Sequence, residues 1–214
     1  AVLDHYSLNT PPSIQQFLHT GKDRQLTETP KPGSSIFNHV ENKIIASSHQ
    51  SLAASANYFQ HHHIATLILG DTVTGESREI AKSYAALTKE IRLHPQLLKA
   101  PIALLSGGET TVTVKGDGRG GRNTEFLLAL LIELNNIKDI YALACDTDGI
   151  DGTENNAGAL ITPDSLIRAK NLGLNAVSFL IQNDAYTFFE HLNDLVTTGP
   201  TYTNVNDYRA ILIL

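Results

Sequence analysis

The chain has 214 residues, 42% hydrophobic and 18% charged, and a formal net charge of −6. That length suits one sizeable domain, or one domain with part of a second. The negative charge leaves no dominant basic face and excludes non-specific nucleic-acid binding. A single cysteine, Cys145, allows no internal disulfide, and the longest apolar-rich run, Phe126 to Leu134, is far short of a membrane span. A cytoplasmic setting is expected.

Residues 1–40 are rich in proline and polar residues, with Pro11, Pro12, Pro30, Pro32 and Gly33. A short helix is expected over Ser13 to His19, followed by an extended linker over Thr27 to Ser35, because proline fixes its own φ and biases its predecessor away from helix. This lead-in has too few apolar residues for a core of its own. No methionine occurs. Together these features suggest a fragment of a longer polypeptide, with residues 1–40 as a lead-in segment and the main domain over 41–214.

From there strands and helices alternate. Lys43 to Ala46 reads as a strand, Gln50 to His61 as a helix and Ile64 to Leu69 as a strand. Glu76 to Ile91 is a helix with apolar residues at Ile80, Ala81, Tyr84, Leu87 and Ile91. Ile102 to Leu105 reads as a buried strand ending in the turn Ser106-Gly107-Gly108, and Thr110 to Lys115 as a second, alternating strand. Helices follow over Thr124 to Leu134, Pro163 to Asn171 and Asp184 to Leu192. Strands follow over Ile140 to Cys145, Gly158 to Ile161 and Arg209 to Leu214. This order predicts an α/β fold: a mixed, mostly parallel sheet with helices on both faces, a Rossmann-like three-layer domain.

The densest chemistry lies in Gly116-Asp-Gly118-Arg119-Gly120-Gly121-Arg122-Asn123, between a strand and a helix. Glycines let backbone approach a ligand, a helix start offers free N–H groups, and two arginines add forked charged donors. The combination favours an anion, phosphate or carboxylate. Gly116, Gly118 and Gly121 also fit G-x-G-x-x-G, a weak dinucleotide signal here because an arginine stands inside the glycine run. Asp146-Thr-Asp148-Gly-Ile-Asp151 follows another strand. Three carboxylates so close repel unless a cation or arginines neutralise them, and hard oxygen ligands suit Mg²⁺. Ser106-Gly107-Gly108-Glu109 and the polar loop Thr198 to Asp207 each adjoin a strand, where α/β sheets bind ligands. Cys145, beside acidic residues, reads as buried and inert.

Taken together, Ser106-Gly-Gly-Glu-Thr-Thr-Val-Thr-Val, Gly118-Arg-Gly-Gly-Arg-Asn, Thr147-Asp-Gly-Ile-Asp-Gly, Asp184-Ala-Tyr-Thr-Phe-Phe and Thr198-Gly-Pro-Thr-Tyr-Thr-Asn-Val-Asn-Asp resemble the C-terminal, MOFRL-containing half of glycerate 2-kinases, a family that also carries hydroxypyruvate reductase names. The resemblance implies ATP- and Mg²⁺-dependent phosphorylation of the 2-hydroxyl of D-glycerate in a cleft between two domains. The family's N-terminal domain, with its lysine-bearing glycine motif, has no counterpart here, so this chain alone is expected to be inactive. Thr124, where the family often has glutamine, and Cys145 are small departures.

Carried over by motif, Arg122 and Arg119 would stabilise transferring phosphate or bind the glycerate carboxylate, with Asp148 beside them. Asp146, Asp148 and Asp151 would steer Mg²⁺. Ser106, Gly107, Gly108, Glu109, Gly118, Gly120, Gly121, Asn123, Thr203, Asn204 and Asp207 would line the substrate and nucleotide cleft. A homo-oligomer is compatible with this reading. The alternatives are an NAD(P)H-dependent hydroxypyruvate reductase and a non-catalytic anion-binding module.

Overall fold

A computed structural model describes residues 2–22, 28–96 and 98–214. Thr27, which opens the expected linker, lies outside the described residues. The chain divides into two compact units, Ala1–Ile44 and Ile45–Leu214.

The first unit contains helices α1 (Val2–His5) and α2 (Pro12–Lys22) and a 3₁₀ turn (Ser35–Phe37). Pro12 opens α2, where its missing N–H costs nothing. Neither helix buries a residue, as the scarcity of apolar side chains implies.

The second unit contains α3 (Ser48–His61), β1 (Ala65–Glu76), α4 (Ser77–Leu93), β2 (Ile102–Thr111), α5 (Arg122–Leu134), β3 (Ile140–Asp146) and β4 (Gly158–Ile161). It continues through α6 (Ser165–Asn171), α7 (Ala176–Ile181), α8 (Ala185–Leu192), β5 (Leu195–Val196) and β6 (Asp207–Ile213). The sheet order is β1-β2-β6-β3-β4-β5. Side chains alternate across each strand, and both faces are used. Ala103, Leu105 and Ala210 pack under Leu52 and Ala56 of α3. Ile102, Leu104, Ile211, Ile213, Ala142 and Ala144 pack on the other face beneath α4, α5 and α8. Helix α5 is buried nearly all round, which is why its run Phe126 to Leu131 is continuously apolar.

The three-layer α/β arrangement agrees with the sequence expectation; the strand directions do not. Only β1 and β2 pair in parallel, and the other neighbours are antiparallel. A mostly parallel sheet needs helices that cross over to parallel neighbours, and only α4 does so. The last strand, β6, instead inserts between β2 and β3 running the opposite way. A consequence matters for function. β1, β2 and β3 run the same way, so the ends of β2 and β3 meet the start of β6 at one edge of the sheet.

Three local readings are also corrected. Ser106-Gly107-Gly108 is no turn. β2 runs straight through it to Thr111, pairing Ser106, Gly107 and Gly108 with Arg209, Tyr208 and Asp207 of β6. The glycines let neighbouring backbone approach: Gly108 has φ +122°, and a Cβ there would collide with the Val73 backbone beside a register shift in β1. Gly108→Ala should therefore lower stability by about 2 kcal/mol or more, read by urea unfolding. Val112 to Lys115 lies beyond the strand, and the segment 43–46 forms none. Ile44 and Ile45 are 87% and 91% exposed, so no burial rewards an extended ladder there.

Candidate active site

The edge where β2 and β3 end and β6 begins carries one cluster of charge. Arg122, the first residue of α5, spreads its guanidinium over three carboxylates. Nε donates to Asp207 at 2.7 Å, Nη2 to Asp146 at 2.5 Å and Nη1 to Glu109 at 3.2 Å. Asp146 ends β3 and Asp207 opens β6, and the two face each other in register. Three of the five guanidinium N–H groups are thereby used, leaving two (5 − 3) for a ligand, and the side chain is 25% exposed. Burial works against the charged form of Arg122, but its bonds to Asp207, Asp146 and Glu109 win and raise its pKa.

Asp207 is the hub beneath. Its side chain is fully buried. Oδ1 accepts from Arg122 and, at 2.8 Å, from Asn123 Nδ2; Oδ2 accepts from Arg209 Nη2 at 2.5 Å and from the Thr110 N–H at 3.3 Å. Asp146 is driven up to about 6. Burial is the main cause, opposed by the Asp148 N–H and Arg122 and assisted by the neighbouring charges of Asp148 and Asp207.

A folded-state value above the unfolded one means that the native protein holds the proton more tightly. That contribution to stability is complete below the unfolded value of 3.8 and is lost as pH rises through about 6. Asp146→Asn should flatten stability against pH across this window, checked by urea unfolding at a series of pH values.

The N-terminus of α5 is already occupied by a protein anion. Asp151, 1% exposed, accepts from the Asn123 and Thr124 N–H groups, each at 2.9 Å, and from the Thr124 hydroxyl and Asn123 Nδ2. It completes the helix dipole from a distant loop. Burial raises its pKa while those four donors oppose the rise. Both of its oxygens face α5, so the geometry makes Asp151 a helix cap and not a metal ligand. Asn123, which lines no open cleft, joins Asp151 to Asp207.

The glycine loop is packed by the protein itself. Asn183 Oδ1 accepts from the Lys115 and Gly116 N–H groups, Gln182 O from Gly118 and Asp184 Oδ1 from Arg119. A Cβ on Gly118 would meet Asp184, and one on Gly121 would meet Asp151. These glycines serve close packing of backbone on backbone, which accounts for the G-x-G-x-x-G spacing without a dinucleotide. A cleft of about 400 Å³ remains beside the loop, lined by Thr110, Val112, Val114, Gly120, Arg122 and Ala185 among others. Among the described residues, the backbone N–H groups of Gly120 and Arg122 have no protein acceptor, and both residues line this cleft.

The acidic and polar loops do come together. Asn204 Nδ2 donates to Asp148 Oδ2 at 3.2 Å, Thr147 Oγ1 to Asn206 O, and Thr201 Oγ1 to both Thr147 O and Thr203 O. Asp148 Oδ1 accepts from the Ile150 N–H, so this carboxylate stiffens its own turn. Ser106 is fully buried beside Arg209 in the ladder and Gly107 packs against Ser48 and Asp207, so neither lines the cleft.

Arg119 points elsewhere. It pairs with Glu154 at 2.6 Å and lies 4.3 Å over the Tyr186 ring. It shares no partner with Arg122. Cys145 is half-buried rather than buried; burial, then the nearby Asp146, pushes its thiol up to about 12, so it stays protonated.

Among the described residues no group of three or more His, Cys, Asp or Glu side chains could hold a metal ion. Arg122 neutralises Asp146, and Asp151 is spent on α5. The donor set therefore does not fit a dedicated Mg²⁺ cage within this chain.

Sequence reasoning missed Asn183, Asp184 and Arg209 as site-forming residues. Arg209 left one trace: a lone charge on the inward face of an apolar strand, two residues after Asp207.

Comparison with known proteins agrees with this architecture. The model of the MOFRL family matches residues 102–207. A D-glycerate 2-kinase of Thermotoga maritima is 33% identical over the whole chain, which covers 48% of that relative. An Agrobacterium vitis protein named "Putative hydroxypyruvate reductase" is 43% identical over the whole chain, which covers 47% of it. The crystal structure of a glycerate kinase from Thermotoga maritima superposes with a TM-score of 0.84 at 33% identity, covering 100% of this chain and 49% of that one. The chain thus spans about half the length of the curated relatives it matches. Among the described residues, no helix is long and apolar enough to cross a membrane. Residues 102–207 thus form a MOFRL-family region, and the chain is homologous to the C-terminal part of glycerate 2-kinases.

Proposed function

We propose that this chain supplies one side of the active site of an ATP-dependent glycerate 2-kinase, phosphorylating the 2-hydroxyl of D-glycerate. The observation that carries the reading is Arg122. It is a fixed guanidinium with two unspent N–H groups, at a helix start, beside the free N–H groups of Gly120 and Arg122 and a cleft of about 400 Å³. Phosphoryl transfer is mostly positioning and charge neutralisation, and these donors suit a phosphoryl group or the glycerate carboxylate. The glycerate kinase names of the homologues support ATP as phosphate donor.

The relatives' length supports a second domain that completes the cleft, so the 214-residue chain alone should not turn over. The test is ³¹P NMR of full-length protein with MgATP and D-glycerate. Appearance of 2-phosphoglycerate is the expected result, and its absence sinks the proposal. The Agrobacterium vitis names favour a second reading, hydroxypyruvate reduction. Turnover of NADH with hydroxypyruvate in the same preparation would establish that one instead.

A further inference from the structure

Arg209 is the largest side chain that is fully buried in the described residues. It is the third residue of β6, with its guanidinium 5.1 Å from the Phe126 ring centre. One of its nitrogens is well bonded: Nη2 donates to Asp207 Oδ2 and, at 2.9 Å, to Thr110 Oγ1. Thr110 Oγ1 is itself held by the Ser77 hydroxyl at 2.7 Å. Nε and Nη1 of Arg209 are buried with no partner, as are Ser106 Oγ and Asn123 Oδ1 nearby.

This is poor design for stability. A buried arginine with two unpaired nitrogens costs more than an apolar residue of its size, and such partly satisfied charges cluster at functional sites. What Arg209 does achieve is geometric. It fixes one oxygen of Asp207, and the other oxygen of Asp207 then has a single orientation in which to receive Arg122 Nε. The rigid chain Ser77–Thr110–Arg209–Asp207–Arg122 runs from the core to the cleft.

We propose that Arg209 is a positioning residue for the proposed phosphoryl transfer, aiming the Arg122 guanidinium through Asp207 without touching substrate. The inference rests on the kinase reading for its catalytic consequence, but the ordering of Arg122 can be read independently. The full-length protein would be compared with Arg209→Met, Arg209→Lys and Thr110→Val by steady-state glycerate phosphorylation, and by the ¹⁵N–¹H spectrum of arginine side chains.

In Arg209→Met, kcat should fall about 30- to 100-fold, the cost of a misplaced catalytic group, with KM for ATP changed no more than about threefold. The exchange-protected Nε–H signal of Arg122 should be lost. Arg209→Lys should recover part of kcat, and Thr110→Val should show a smaller fall of the same kind, which keeps the test open if Arg209→Met does not fold. The double variant Arg122→Lys/Arg209→Met should be no slower than Arg122→Lys alone. An unchanged Arg122 Nε–H signal in the folded variants, or losses that multiply in the double variant, overturns the proposal. A wild-type protein without phosphotransfer overturns the kinase reading instead, and the spectrum still decides whether Arg209 orders Arg122.

Discussion

Arg122→Ala in the full-length protein should lower kcat about 10³-fold, the scale of losing a charged donor aimed at a transferring phosphoryl group. The substitution also strips Asp146 of its cation, so stability must be followed in parallel. Asp207 keeps Arg209, Asn123 and Thr110, whereas Asp146 keeps only the Asp148 N–H. Arg122 holds the Asp146 pKa down, so without it the carboxylate titrates above about 6, and once ionised it is buried and unpaired, costing about 2 kcal/mol. Below that value it protonates and the penalty fades. The stability defect should therefore shrink as pH drops from 8 to 5, while the kcat defect persists. Initial-rate kinetics and urea unfolding at both pH values separate the two effects. A kcat within about tenfold of wild type would remove Arg122 from the mechanism.

Asp151→Ala should be the most destabilising single change at this edge, by about 3–5 kcal/mol. It deletes the acceptor for two backbone N–H groups and two side chains at the start of the most deeply buried helix. All of these donors are enclosed, so no solvent replaces the lost carboxylate. Asp151→Asn keeps one acceptor oxygen and should lose about half as much. Urea unfolding of both variants reads the difference. If Asp151→Ala stays within about 1 kcal/mol of wild type while metal-dependent activity disappears, then Asp151 acts on a metal after all and the capping assignment fails.

Much of the site was visible before any coordinates. The glycine–arginine loop, the aspartates after β3 and the polar loop before β6 each stood out because their residue types are costly or conformationally special, and such signals are local. Their union at one edge is seen in the contacts of Arg122 with Asp146 and Asp207. The separation of Arg119 from Arg122 was not legible. Two arginines three residues apart straddle a loop and a helix start, and their directions depend on where residues 182–186 pack.

The sequence alone determined the longer helices and most of the longer strands, the two-sided burial of the sheet and the residues able to carry charge chemistry. Those depend on periodicity and side-chain type, which each segment holds within itself. Only the tertiary structure decided strand direction, the run of β2 through its glycines, the use of Asp151 as the cap of α5 and the burial of Arg209 beneath Asp207. Each of these is a pairing between segments distant in the chain. Such pairings are set by which backbone groups and charges must find partners once water is excluded, and no single segment encodes that outcome.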